Sequence, residues 1–159
     1  MVWSQSYPMA VSQTTIALIF DYDQTLSPSF MQDDVLFPEF GIDAGQFWDR
    51  CNALVEKHQW DGELAYMKCL LDYLEMDGVT NSRLTELGRG LGYYPGVPEL
   101  FDEIRGSVLS PEHQAAGVTI DYYIISSGLK ALLEGSSLAG YMTAMFGCEF
   151  GEDNNGRIS

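Results

Sequence analysis

Asp21 and Asp23 are two carboxylates two positions apart, placed directly after the apolar run Ile16-Ala17-Leu18-Ile19-Phe20. A continuous apolar run of that length reads as a β-strand buried on both faces in a parallel sheet. At the carboxyl end of such a strand alternate side chains point the same way, so both acids face one crevice. That edge is where α/β sheets bind their ligands. Carboxylates this close repel each other, which favours a cation between them or a shared proton. An all-oxygen donor set suits Mg2+. A solvated turn is the competing reading of an Asp-x-Asp pair taken alone. A calcium loop of the EF-hand type is excluded, because it requires Gly at its sixth position and Glu at its twelfth. Those positions hold Leu26 and Gln32.

The elements that must position this pair follow from periodicity. Asp43 with Gln46 makes a capping box for a helix carrying Phe47, Cys51, Leu54 and Val55 at helical spacing. Leu64, Met67, Cys69, Leu70, Leu71 and Leu74 predict a second helix, and a third starts near Thr80 or Asn81. Tyr94-Pro95-Gly96 is a turn, followed by a helix over residues 97–104 and a surface loop over 110–117. A second apolar strand over 118–125 runs into Ser126-Ser127-Gly128. A helix is expected over 129–138, a third strand over 144–150, and a hairpin turn at Asp153-Asn154-Asn155-Gly156. This alternation predicts an α/β fold with a parallel sheet. The helices of residues 33–91 read as an insertion, since about sixty residues exceed any single crossover. The expected core is therefore 14–32 with 92–159, and residues 1–13 form a loose polar tail.

Composition excludes several partner classes. Of 159 residues, 8 are Lys or Arg and 23 are Asp or Glu, a net charge of −15. Neither nucleic acid nor an anionic membrane attracts such a chain. The three cysteines, Cys51, Cys69 and Cys148, show no Cys-x-x-Cys spacing. They suggest neither a disulfide framework nor a thiolate zinc site, and a reducing, cytoplasmic setting fits. The first fifteen residues lack the basic and apolar regions of a signal peptide. His58 and His113 fall in no ligand pattern. Phe47, Trp48, Trp60, Tyr66 and Tyr73 read as packing of the helical insertion rather than a substrate platform.

The apolar strand followed by Asp21-x-Asp23-x-Thr25-Leu26 resembles the first motif of the haloacid dehalogenase-like (HAD) hydrolase superfamily. The apolar strand ending in Ser126-Ser127-Gly128 resembles its second motif. Tyr94-Pro95-Gly96-Val97-Pro98-Glu99-Leu100 is similar to the segment by which many members re-enter the core after a helical cap. The resemblance implies a Rossmann-like parallel sheet with an inserted helical cap. It also implies a Mg2+-dependent phosphatase acting on a small phosphorylated metabolite. Asp21 would then be the nucleophile that forms an aspartyl-phosphate, and Asp23 the acid for the leaving group and base for water. The Asp21 carboxylate and the Asp23 backbone carbonyl would bind Mg2+. Thr25 would hold the loop. Ser126 would donate to a phosphoryl oxygen, assisted by N–H groups of Tyr22 and of the Ser127-Gly128 turn. An Asp two residues after the nucleophile resembles the phosphatase and phosphomutase branch. Phosphoserine phosphatases of the family carry Glu nine residues after the nucleophile, where this chain has Phe30.

Two further family motifs, a phosphate-neutralising Lys or Arg and a later acidic pair, have no clear counterpart. Lys57 and Lys68 fall in the insertion, Lys130 follows the second motif too closely, and Gly151-Glu152-Asp153 suits a hairpin better. The expectation is a core incomplete in this chain, with residues 1–159 alone close to inactive. The first strand would then be an open edge, covered by a second copy or a missing C-terminal segment. The alternative function is a non-catalytic module that binds phosphate or a protein partner. Arg50, Tyr66 and Lys68 are candidates to read a substrate from the insertion.

Overall fold

The computed structural model describes residues 14–159, so the tail expected over residues 1–13 lies outside the described residues. Three strands, β1 (Thr15–Phe20), β2 (Thr119–Leu129) and β3 (Ala144–Cys148), form a parallel sheet in the order β1-β2-β3. The chain is thus α/β, as the alternation of elements predicts. β1 and β2 pair in unbroken register from Thr15 with Thr119 to Phe20 with Ile124. The β2–β3 pairing is interrupted between Ile125 and Leu129, so Ser126-Ser127-Gly128 sits on an irregular stretch.

One face of the sheet is packed. Ile120, Tyr122 and Ile124 of β2 are buried on it, under α5 (Val97–Val108). Phe20, Phe101 and Tyr122 meet there, with ring centroids 5.6 Å apart for Phe20–Phe101 and 5.1 Å for Phe101–Tyr122. The Tyr122 hydroxyl donates to the Phe101 carbonyl at 2.6 Å, which satisfies the one polar atom this residue buries.

The other face differs from expectation. By register, Ile19, Ile125 and Phe146 share it, and they are 61%, 52% and 54% exposed. A strand buried on both sides was expected for Ile16 to Phe20, but among the described residues nothing covers this second face. β1 is also an edge strand, as expected for a core without its further strands. Contiguous apolar surface beside a free strand edge is where proteins associate.

Between β1 and β2 the described elements are helical. A π-helical turn (Gln32–Leu36) leads into α1 (Phe37–Phe40), followed by α2 (Ala44–His58), α3 (Gly62–Met76) and α4 (Asn81–Leu87). Each of the last three has a side-chain N-cap. Asp43 accepts from Gln46 N–H, Asp61 from Glu63 and Leu64 N–H, and Thr80 from Arg83 N–H. α2 and α3 pack on each other through an aromatic cluster in which Phe37, Phe47, Trp48, Tyr66 and Tyr73 interlock.

α4 packs instead on α7 (Lys130–Gly135), the helix that follows β2. Glycines allow the close approach. A Cβ on Gly135 would collide with the Thr85 carbonyl, and one on Gly88 with the Leu132 carbonyl. The C-terminal residues add a clamp. Glu152 and Ile158 form an antiparallel bridge around the expected hairpin turn, Glu152 accepts from Asn81 N–H, and Ile158 N–H donates to the Val79 carbonyl.

Local chemistry accounts for two further differences. Residues 110–117, expected as a loop, contain α6 (Pro111–Ala115), because Ser110 accepts from His113 N–H as an N-cap and proline opens the helix. The helix expected over 129–138 splits into α7 and a 3-10 turn, Ser137–Gly140, with the Ser136 hydroxyl donating to the Leu133 carbonyl at the break.

The backbone contact across α4 and α7 leaves no flexible side chain to yield. Gly135→Ala is therefore expected to cost about 3 kcal/mol, at the upper end for overpacking. Gly140→Ala, whose Cβ would meet nothing within 4 Å, should be neutral. Chemical denaturation of both variants beside the parent chain measures the difference.

Candidate active site

β1 ends at Phe20, and the next seven residues fold back on one carbonyl. The Tyr22 carbonyl accepts N–H donors from Thr25, Leu26 and Ser27 at 3.1, 2.9 and 3.1 Å. Gln24 takes a left-handed conformation, φ 59°, to close this turn. That conformation is uncommon for a residue with a side chain and is characteristic of functional loops. Tyr22 points the opposite way from its acidic neighbours. It is fully buried, and its hydroxyl donates to the Gly92 carbonyl at 3.0 Å. Burial raises its pKa, so the hydroxyl remains protonated.

Asp21 and Asp23 both line one cavity of about 320 Å3. Asp21 is exposed, and its carboxylate accepts from the Thr25 hydroxyl at 3.3 Å. Asp23 is half-buried and accepts the Met31 N–H at 2.8 Å. Burial pushes its pKa up to about 6, the charge of Asp21 adds to the rise, and the Met31 N–H opposes it. Two carboxylates two residues apart thus differ in character. One is exposed in the cavity, and the other holds its proton up to about pH 6.

The end of β2 forms the facing wall. Ser127 and Gly128 line the cavity beside the two acids. Ser126 is not among the lining residues, and its hydroxyl accepts the Gly128 N–H at 3.0 Å, within its own turn. Gly128 lies against Met31, where a Cβ would overlap the thioether, and Leu129 N–H donates to the Met31 sulfur at 3.1 Å. Met31 thereby ties the loop after β1 to the end of β2.

The roof comes from the helical residues. Phe30, Gln32, Trp48, Gly62, Glu63 and Tyr66 complete the lining. Sequence reasoning placed Trp48 in the packing and Tyr66 both there and among the candidate readers of a substrate; both residues pack and line the cavity. Gln32, at the start of the π-helical turn, and Glu63, in the first turn of α3, were not singled out. Of the other proposed readers of a substrate, Arg50 and Lys68 are both paired with Asp72 outside the cavity lining. Lys130 pairs with Glu149 at 2.9 Å and with Glu134 at 3.5 Å.

The described lining carries three carboxylates and no cation. Among the described residues no group of three or more His, Cys, Asp or Glu side chains is arranged to hold a metal ion. Asp21 and Asp23 remain the available oxygen donors. That set fits Mg2+ only in its usual mode, with one or two carboxylates, several waters and a substrate phosphate.

Comparison with solved structures places this arrangement. The chain superposes on a HAD-family hydrolase, t0658, from Salmonella enterica serovar Typhi with a TM-score of 0.57. The match has 17% identity and covers 95% of this chain and 46% of that one. It superposes on a phosphoserine phosphatase, solved as an analogue of its phospho-aspartyl intermediate, with a TM-score of 0.58. That match has 13% identity and covers 92% of this chain and 61% of that one. The fold is HAD-like. No family model matches the sequence. An uncharacterized protein of Borreliella burgdorferi (strain ATCC 35210) is 34% identical over 147 residues, covering 87% of this chain and 50% of the relative. The chain thus spans about half the length of the curated relative it matches. No helix among the described residues is long and apolar enough to cross a membrane.

The raised pKa of Asp23 makes stability depend on pH in a defined direction. Its folded value, about 6, lies above its ordinary value of 3.8, so its contribution is fully present below about pH 4 and is lost as pH rises through 6. Asp23→Asn keeps an acceptor for the Met31 N–H and removes the charge. Without added metal, the variant is expected to match the parent near pH 4 and to exceed it in melting temperature at pH 8. Equal melting temperatures at both values would show that Asp23 titrates normally.

Proposed function

We propose that the protein is a Mg2+-dependent phosphomonoester hydrolase of the HAD type, acting on a small phosphorylated metabolite through an aspartyl-phosphate. One observation carries the reading. Asp21, free and exposed, and Asp23, holding a proton to about pH 6, line the same cavity opposite the Ser127-Gly128 turn. The HAD-like fold supports it.

In this mechanism an Asp21 carboxylate oxygen attacks phosphorus and the ester P–O bond breaks. The leaving alkoxide takes the proton of Asp23 and departs as the alcohol. Asp23, now a carboxylate, removes a proton from water. That water attacks the phosphorus, the acyl-phosphate P–O bond breaks, and inorganic phosphate leaves with Asp21 regenerated. The Thr25 hydroxyl orients Asp21. Ser127 and the backbone of Gly128 lie where phosphoryl oxygens would sit, and Ser126 orders that turn through the Gly128 N–H. Mg2+, held by Asp21 and the backbone carbonyl of Asp23, would screen the charge between nucleophile and phosphate.

A second reading is a module that binds phosphate without turnover. The lack of a cation in the described lining speaks against turnover by these residues alone. In the first reading, electrostatic stabilisation of the transition state has to come from the metal or from elsewhere in the protein.

The test uses the protein expressed from its natural reading frame, with p-nitrophenyl phosphate and Mg2+. Asp21→Asn is expected to lower kcat by at least about 10³-fold with the fold intact, as for loss of a nucleophile. Phosphate binding with no hydrolysis in the parent protein would support the second reading. Asp23→Asn is expected to cost about 10²–10⁴-fold. The loss should be larger for alkyl phosphates than for p-nitrophenyl phosphate, whose leaving group needs little protonation. In the parent enzyme, kcat/KM for alkyl phosphates should fall above about pH 6, where Asp23 loses its proton. An equal loss on both substrates would remove Asp23 from the acid role.

A further inference from the structure

Two polar atoms in the cavity wall lack the partners that buried polar atoms require. Gln32 is 3% exposed and Tyr66 6% exposed, and both line the cavity. Neither the Gln32 Oε1 nor the Tyr66 hydroxyl has a hydrogen-bond partner among the described residues. Leaving a buried polar atom unpaired forfeits its hydration without replacement, so native structures keep few of them, and each calls for an explanation. The same wall supplies Glu63, whose charge, with that of Asp23, helps raise the Tyr66 pKa after burial has raised it most. Tyr66 therefore lies within electrostatic reach of both acids and keeps its proton.

Acceptors predominate among these three groups. The Gln32 amide oxygen and the Glu63 carboxylate accept hydrogen bonds, the Gln32 amide nitrogen donates, and the Tyr66 phenol does both. The walls between them are aromatic. Trp48 and Tyr66 stack with centroids 6.0 Å apart, and Phe30 lies 6.2 Å from Trp48. Acceptors, one carboxylate and aromatic faces together suit a cationic hydrogen-bond donor, and they repel an anion. The cavity, at about 320 Å3, lies at the small end for ligand sites. It suits a phosphate with a short chain.

We propose that Gln32, Glu63 and Tyr66 form a specificity subsite that receives the alcohol part of the substrate and selects a short phosphomonoester bearing a protonated amine. This rests on the reading of Asp21 and Asp23 as the phosphate end of the same cavity. Hydroxyl-bearing esters satisfy the acceptors without the charge and rank second. An unsubstituted alkyl ester leaves the acceptors unpaired and ranks third. An ester with a carboxylate meets Glu63 and ranks last.

The experiment uses the protein from its natural reading frame and four esters of nearly equal size: 2-aminoethyl, 2-hydroxyethyl, propyl and carboxymethyl phosphate. Both kcat/KM for hydrolysis and binding by calorimetry are measured, the latter on the Asp21→Asn variant with Mg2+. The expected order is aminoethyl, hydroxyethyl, propyl, carboxymethyl, with about 10-fold or more between the first and third, the scale of one or two hydrogen bonds. Tyr66→Phe and Gln32→Leu should each weaken the aminoethyl and hydroxyethyl esters by about 10-fold and strengthen the propyl ester, which no longer leaves a polar atom unpaired. Glu63→Gln should abolish the preference for amine over hydroxyl. If no ester is hydrolysed, the phosphatase reading fails, and the calorimetric order alone decides the subsite. Equal binding of all four esters would overturn the proposal, as would no binding of any. So would variants that change folding stability but not the order, which would mean that the two orphan atoms are served by water.

Discussion

The parallel pairing of β1 with β2 is the constraint on which the rest of the structure depends. Its last matched pair is Phe20 with Ile124, after which β1 leaves the sheet while β2 runs on beside β3 through an irregular stretch to Leu129. Asp21 and Asp23 follow from one strand, and Ser127 and Gly128 from the other. A slip of one residue would turn every side chain of β1 to the opposite face and carry the acids away from the cavity. Two interactions resist it: the packing of Phe20 against Phe101 and Tyr122, and the three N–H groups gathered on the Tyr22 carbonyl. The first fixes the strand, and the second fixes the loop as it emerges.

Charge in the site follows from where the cations are engaged. Arg50 and Lys68 pair with Asp72, Arg83 with Glu39 and Glu86, Arg105 with Asp102, and Lys130 with Glu134 and Glu149. These exposed pairs contribute little to stability. None of these cations lies in the cavity lining. Burial, with the charge of Asp21, raises the Asp23 pKa to about 6, so below that pH a proton lowers the charge of the pair.

The parts of this structure legible in the sequence are those governed by local rules. The acid pair was readable because a strand end and a two-residue spacing together dictate direction. α2 was readable because Asp43 and Gln46 announce its start, and the Gln46 N–H does donate to Asp43. The Ser126-Ser127-Gly128 turn was readable as a unit from the end of the apolar strand, but which of its residues line the cavity was not, since alternation fails where the β2 register breaks after Ile125, and Ser127 and Gly128 are the two in the lining. The π-helical turn that carries Gln32 has no periodic signature, so Gln32 went unnoticed. The exposure of Ile19 was hidden as well. An apolar run records what a strand is able to bury, and tertiary packing decides whether anything lies over it.

The Gly92 peptide is held from both sides. Its N–H donates to Asp34 at 3.1 Å, and its carbonyl accepts from Tyr22 at 3.0 Å. Two residues on, Tyr94 N–H donates to the Leu26 carbonyl at 3.0 Å. The strand-proximal loop and the far end of the helical insert are thus stitched together at their roots, about seventy positions apart in sequence. These bonds anchor the loop that carries Asp21 and Asp23 and the far end of the helices at one place. α2 and α3, which roof the cavity, hang from that base, while α4 is tied to α7 and to the C-terminal residues. A change in α2 or α3 therefore alters what the cavity accepts before it alters the acid pair.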